Sequence, residues 1–157
     1  MTQVRSNGVE FEIPGSWSYL KLPPRRWDDG GAAGVNFHVA SMAVPLDDDS
    51  GFASGTMGEL GPMDVGMVLQ EVLPDRVIRP GEGYYSPSQP QRVSRDEFSE
   101  FRLQVTRPGQ FGYLAPFTAS HRAFSFYAVL GGEAAARDGI PALNAILDSI
   151  RIGAERD

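Results

Sequence analysis

The sequence predicts an α+β fold: an antiparallel β-sheet with one long helix packed on it near the C-terminal end. Three observations carry this expectation. Segments of alternating apolar and polar residues recur along the chain, residues 140–150 carry an apolar stripe of helical period, and 12 prolines and 18 glycines cut the 157 residues into short elements. A chain of this length can bury a substantial core, and one domain spanning residues 1–157 is expected.

Val9, Phe11 and Ile13 alternate with Glu10 and Glu12, the period of a strand with one wet face, and Pro14–Gly15 ends it. Trp17, just past that turn, is expected to close the core at the end of the sheet. Val35, Phe37 and Val39 alternate with Asn36, His38 and Ala40 and predict a second strand of the same kind. Between them KLPPRRWDDGGAAG reads as a loop with Arg25, Arg26 and Trp27 near its tip. LDDDSGFASGTMGELG reads as a second polar excursion over the surface.

GPMDVGMVLQEVL fits two patterns. Val65, Val68, Leu69 and Val72 share a helical face and Pro62 suits a first turn, whereas Val65, Met67 and Leu69 share a strand face. Gly66 and the β-branched valines disfavour the helix, so strand is the narrow preference. RVIRPGEGYYSPSQPQ is a proline-rich connection. Phe101, Leu103 and Val105 predict a strand, RPGQ a type II turn, and Phe111 to Phe117 the returning strand, with a break at Pro116 in view. RAFSFYAVL is apolar on both faces and reads as central, completing a meander. GIPALNAILDSIRI has Pro141 near its start and Ile140, Leu143, Leu147 and Ile150 on one stripe, so it reads as the helix. Ala134 to Arg137 add an earlier helical turn, Gly139 reads as a break, and Ile150 and Ile152 suggest a short extended tail.

A formal charge of −6 argues against duplex nucleic acid or an anionic membrane as the main partner. The absence of cysteine removes disulfides, thiolate catalysis and thiolate metal sites. MTQVRSNGVEF holds no signal-peptide core and no apolar run is long enough to span a bilayer, so the expected location is cytoplasmic. No cofactor is expected, and membrane insertion is not.

The residues that could carry chemistry are few. His38 lies on the polar side of its strand and is expected to be solvated or hydrogen-bonded, without a functional role. Ser120 and His121 adjoin in sequence, which does not supply the geometry of a serine–histidine pair. Asp47, Asp48 and Asp49 lack the spacing of a calcium loop and read as a solvated acidic run. Gly55 to Gly61 lacks the lysine of a phosphate loop and reads as a flexible connection. The carboxylate pairs Glu10/Glu12 and Glu97/Glu100 fall on solvent faces. No catalytic set converges, so an enzyme is not the expected reading. Two clusters remain: Arg25, Arg26 and Trp27, and Tyr84 with Tyr85. Arginine, tryptophan and tyrosine are the side chains favoured at interface hot spots, which makes these loops the candidate interaction surface. The expected partner is another protein or a second copy of the chain. The alternative is a small-molecule carrier with a pocket between sheet and helix, lined by Phe124, Phe126, Leu143 and Leu147.

The opening F-x-I-P-G-S-W and the ending FSFYAVLGG…IPALNAILDSIRI resemble the entry and close of the PsbP-like α/β fold, the superfamily that includes the DcrB-like proteins. PFTASHRAFSFYAVLG also resembles the matching part of small actinobacterial proteins. The resemblance covers the two ends of the chain and implies a PsbP-like sandwich, in a group that acts mostly as assembly or interaction modules. It transfers no functional residue. Residues 41–95 depart from the pattern.

Overall fold

The computed structural model describes residues 1–26, 28, 32–72, 90 and 92–154. In chain order the strands are β1 (Thr2–Ser6), β2 (Val9–Ile13), β3 (Ser18–Leu22), β4 (Arg25–Arg26), β5 (Ala32–Ala33) and β6 (Asn36–Ala40). A short helix α1 (Ser54–Gly58) precedes β7 (Val65–Val72), β8 (Phe111–Ala119) and β9 (Arg122–Leu130). Helix α2 (Ala136–Ser149) and β10 (Arg151–Ile152) follow. The strands form a five-stranded sheet of order β3-β6-β7-β9-β8, a three-stranded sheet β1-β2-β10 and a two-stranded ribbon β4-β5. All pairings are antiparallel. The architecture is therefore α+β, with α2 packed on sheet, as the sequence predicts.

The two larger sheets share one core. Val9, Phe11 and Ile13 of β2 meet Phe37, Leu69, Phe126 and Leu130 of the five-stranded sheet, and Leu143, Ile146, Leu147 and Ile150 seal the cluster. Phe11 and Phe37 stack edge to face at 5.1 Å. Gly139 permits close approach of α2: a Cβ there would lie 2.3 Å from Val65 Cγ2. The expected break at Gly139 does not occur, since the helix runs through it and through Pro141. A 3₁₀ turn, Glu133–Ala135, leads into the helix.

Several strands match their expectation. Residues 62–73 contain β7, a strand. β9 is buried along all nine residues. β8 continues through Pro116, which an edge strand tolerates because its missing N–H leaves no ladder bond unmade on the open side. Arg107 to Gln110 close a turn, with Gly109 at φ 80° and Gln110 N–H donating to Arg107 O at 3.2 Å. Trp17 N–H donates to Pro14 O at 3.0 Å, and its half-buried ring packs against the core.

Other expectations fail. Phe101 to Thr106 form no strand: Glu100–Arg102 is a 3₁₀ turn, and Phe101 is 89% exposed. Leu103 alone of that alternation packs inward, beneath the second face of the sheet. β1 was not anticipated. Asn7 and Gly8 both have positive φ (51° and 81°) and make the two-residue turn that Asn-Gly favours between hairpin strands. The wet face expected for residues 35–40 is absent too, since every residue of β6 is buried.

Candidate functional site

The second face of the five-stranded sheet is covered by loops and the short helix α1. Ala53 and Met57 pack on Val68, Tyr127 and Val129, with Phe52, Leu60, Leu103 and Leu114 around them. This covering layer corrects three expectations. His38 is fully buried instead of solvated, because residues 45–57 lie over it. Asp48 is buried while Asp47 and Asp49 remain exposed, so the acidic run is not uniformly solvated. Residues 54–58 of the glycine-rich connection are helical.

Asp48 organises the layer. One oxygen accepts from Ser50 Oγ at 2.6 Å and Ser50 N–H at 3.3 Å. The other accepts from Thr56 N–H at 2.8 Å and Thr56 Oγ1 at 2.7 Å. Burial alone would raise its carboxyl, but these hydrogen bonds, with His38 adding a smaller attraction, hold it below the ordinary value. His38 Nδ1 lies 3.5 Å from Asp48 Oδ2, and among the described residues neither ring nitrogen makes a hydrogen bond of good geometry, the Ser50 backbone offering only a weak contact. Burial pushes His38 below its ordinary value of 6.5, against the attraction of Asp48. Serine, carboxylate and imidazole are thus close, yet Ser50 bonds to the carboxylate and the imidazole is sealed from solvent. A nucleophilic serine needs the imidazole as its base.

Ser120 and His121 occupy the β8–β9 turn at φ 51° and 60°. Ser120 Oγ donates to Ile152 O at 2.7 Å, tying the turn to β10. Glu10 pairs with Arg5 at 3.3 Å, and Glu97 accepts from Ser94 N–H at 2.9 Å in a capping box. Among the described residues no three histidine, aspartate or glutamate side chains gather as they would around a metal ion. No described helix is long and apolar enough to cross a membrane.

The arginine cluster forms a site of a different kind. Arg25 and Arg26 make β4, paired with Ala33 and Ala32 of β5. Trp27, Tyr84 and Tyr85 lie outside the described residues. Arg26 is exposed and Arg25 half-buried, with Arg25 Nη2 donating to Asp49 O at 3.1 Å. Below this ribbon is a cavity of about 130 Å³ lined by Leu22, Arg25, Asn36, Asp49, Gly51 and Gln70, among others. Its floor is set by register: Leu22 pairs with Asn36, Asn36 with Gln70 and Gln70 with Ser125, so one row of the second face is polar across β6, β7 and β9. Asn36 is 5% exposed; its Nδ2 donates to Gly51 O at 3.0 Å and its Oδ1 has no partner.

A buried ion pair lies at the same end of the sheet on the core face. Arg122 grips Glu71 through Nε at 2.9 Å and Nη2 at 3.2 Å, and Nη1 donates to Gly153 O at 2.9 Å. None of Asn36, Gln70, Glu71 and Arg122 stood out from sequence, although polar side chains inside otherwise apolar strands were the available signal. Phe124, Phe126, Leu143 and Leu147 are all core residues, and the cavity under the ribbon lies on the other side of the sheet from them. Comparison of the chain with family models, with curated proteins and with solved structures finds no match.

Proposed function

We propose that this chain is a non-catalytic interaction or assembly domain whose contact surface is the β4–β5 ribbon. The observation that supports this reading is that the ribbon presents two adjacent arginines while none of its residues joins either buried cluster. A segment with no part in the core is free to serve recognition, and arginine is favoured at such surfaces. The partner is another protein or a second copy, and the cytoplasm is the compartment in which to seek it. The PsbP-like resemblance of the chain ends agrees with an assembly role.

Photo-crosslinking in the native host tests the proposal. A photoreactive residue in place of Arg26 should yield one discrete crosslinked species, absent when the probe replaces Arg137 on α2 and lost in the Arg25→Glu background. Equal crosslinking from both positions, or none from position 26, would reject it. The size of the crosslinked species separates a second copy from a different protein.

A further inference from the structure

We infer that His38, Asp48 and Thr56 form an acid-operated latch, in which a proton taken up by the buried imidazole frees the short helix α1 from the second face of the five-stranded sheet. The inference rests on how Asp48 uses its oxygens. Oδ1 accepts from the Ser50 hydroxyl and N–H, and Oδ2 from the Thr56 hydroxyl and N–H. A carboxylate has about four lone-pair sites, so these donors, all from the cover itself, saturate it. His38 Nδ1 stands 3.5 Å from Oδ2, the oxygen that Thr56 holds. An imidazolium needs acceptors for both of its N–H groups. The Ser50 backbone offers a weak contact, and its carbonyl already accepts from Ala53 N–H at 3.3 Å. The charged ring is therefore served only if Asp48 Oδ2 turns from Thr56 to His38, or if the cover parts and water reaches it. Both routes release Thr56 and with it α1, whose Met57 packs with Ala53 on Val68, Tyr127 and Val129.

The charged groups around the ring come from the cover. Asp48 and, more weakly, Asp49 attract a proton to it, while Arg25 and Arg107 donate to the Asp49 and Ser54 carbonyls. On the sheet, Leu20 of β3 and Val68 of β7 flank His38, and Tyr127 of β9, its phenol raised by burial, accepts from Gln104 N–H. Burial lowers His38 more than the two carboxylates raise it, which agrees with the geometry.

Amide hydrogen exchange of the full chain, followed by NMR from about pH 8 to 5, tests the latch. The protection factor of Thr56 N–H, corrected for the pH dependence of exchange itself, should fall about tenfold for each pH unit below 6.5, and Met57 N–H should follow. The amides of β7 and β9 should stay at least about tenfold better protected throughout. In His38→Leu the Thr56 slope should vanish. Thr56→Val gives up the hydroxyl donor and leaves room on Oδ2, so the His38 ring should titrate at higher pH there, whereas Thr56→Ser should leave its titration in place. If His38→Leu does not fold, the wild-type profile and Thr56→Val decide. A Thr56 protection factor that is flat or rises with acid overturns the inference. So does a slope kept in His38→Leu, a His38 titration unmoved in Thr56→Val, or β7 and β9 amides no better protected than Thr56.

Discussion

Phe37, Leu69 and Phe126 lie in one row on the core face of the five-stranded sheet, while His38, Val68 and Tyr127, one residue along each strand, lie on the other. Both rows are buried, but by different covers. The core face is closed by α2 and the three-stranded sheet, whose backbone groups are satisfied within regular structure and which therefore contribute apolar side chains. The second face is closed by loops and the single-turn helix α1, whose backbone finds many of its partners outside regular structure. Asp48 gathers Ser50 and Thr56, Gln110 Nε2 donates to Met57 O at 2.9 Å, Arg107 Nη2 donates to Ser54 O at 3.0 Å, and Tyr127 Oη accepts from Gln104 N–H at 2.9 Å. One cover is held by area, the other by a few directed hydrogen bonds. The second should open first.

The largest expected effect is on the core face. Phe126→Ala should cost about 3–5 kcal/mol through lost burial and the cavity left behind. The measurement is the urea midpoint at unchanged slope. A cost below about 1 kcal/mol would mean that the core repacks freely and that the contrast between the faces is overstated.

Asp48→Asn should cost less, about 2 kcal/mol, because the amide cannot accept at both of its ends. The loss should be local. Hydrogen exchange should quicken at Thr56 and Met57 while β7 and β9 keep their protection. Equal loss in those strands would show that the two covers unfold as one.

Acid should act on the second face through the same pair. His38 has a folded pKa below its ordinary 6.5, so the unfolded chain binds the proton more readily. Its contribution is present above 6.5 and is lost as pH falls from there through the lowered folded value. Asp48 acts in the same direction at lower pH, its share being lost below 3.8 as the carboxyl protonates. Stability of the wild type should therefore begin to fall below pH 6.5, and His38→Leu should remove that first part of the slope. An unchanged slope in the variant would place the acid sensitivity elsewhere.

The smallest effect is expected at Phe101. Phe101→Ser should change stability by less than about 0.5 kcal/mol, since the ring is 89% exposed. A cost of about 2 kcal/mol would restore the strand that its alternation suggests.

The regular cover was legible in the sequence and the irregular one was not. Period-two alternation located β2, β6, β8 and β9, and the stripe from Ile140 to Ile150 located α2, because these patterns follow from burial against a flat neighbour. Phe101, Leu103 and Val105 show where the pattern misleads: alternation is necessary for a half-buried strand, but it does not supply a partner strand. Asn7–Gly8 marked the β1–β2 hairpin all along, but Thr2 to Ser6 has too little apolar character to draw notice. Burial of His38 could not be read locally, since it depends on residues 45–57 returning over the strand. Of the site, Arg25 and Arg26 were legible by residue type. Asn36 and Gln70 were not, because their juxtaposition is a property of register between strands far apart in sequence.

The three-stranded sheet has a consequence for how the chain is made. β2 is flanked by β1 on one side and by β10 on the other, and Glu12 N–H donates to Ser149 Oγ at 2.8 Å. During synthesis, Val9, Phe11 and Ile13 leave the ribosome well before α2 and β10, which cover them and complete their sheet. The nascent β1–β2 hairpin therefore carries an unshielded apolar face and an open strand edge until α2 and β10 emerge. The core is therefore completed only once β10 has emerged and paired with β2, which joins the two ends of the described chain in one sheet.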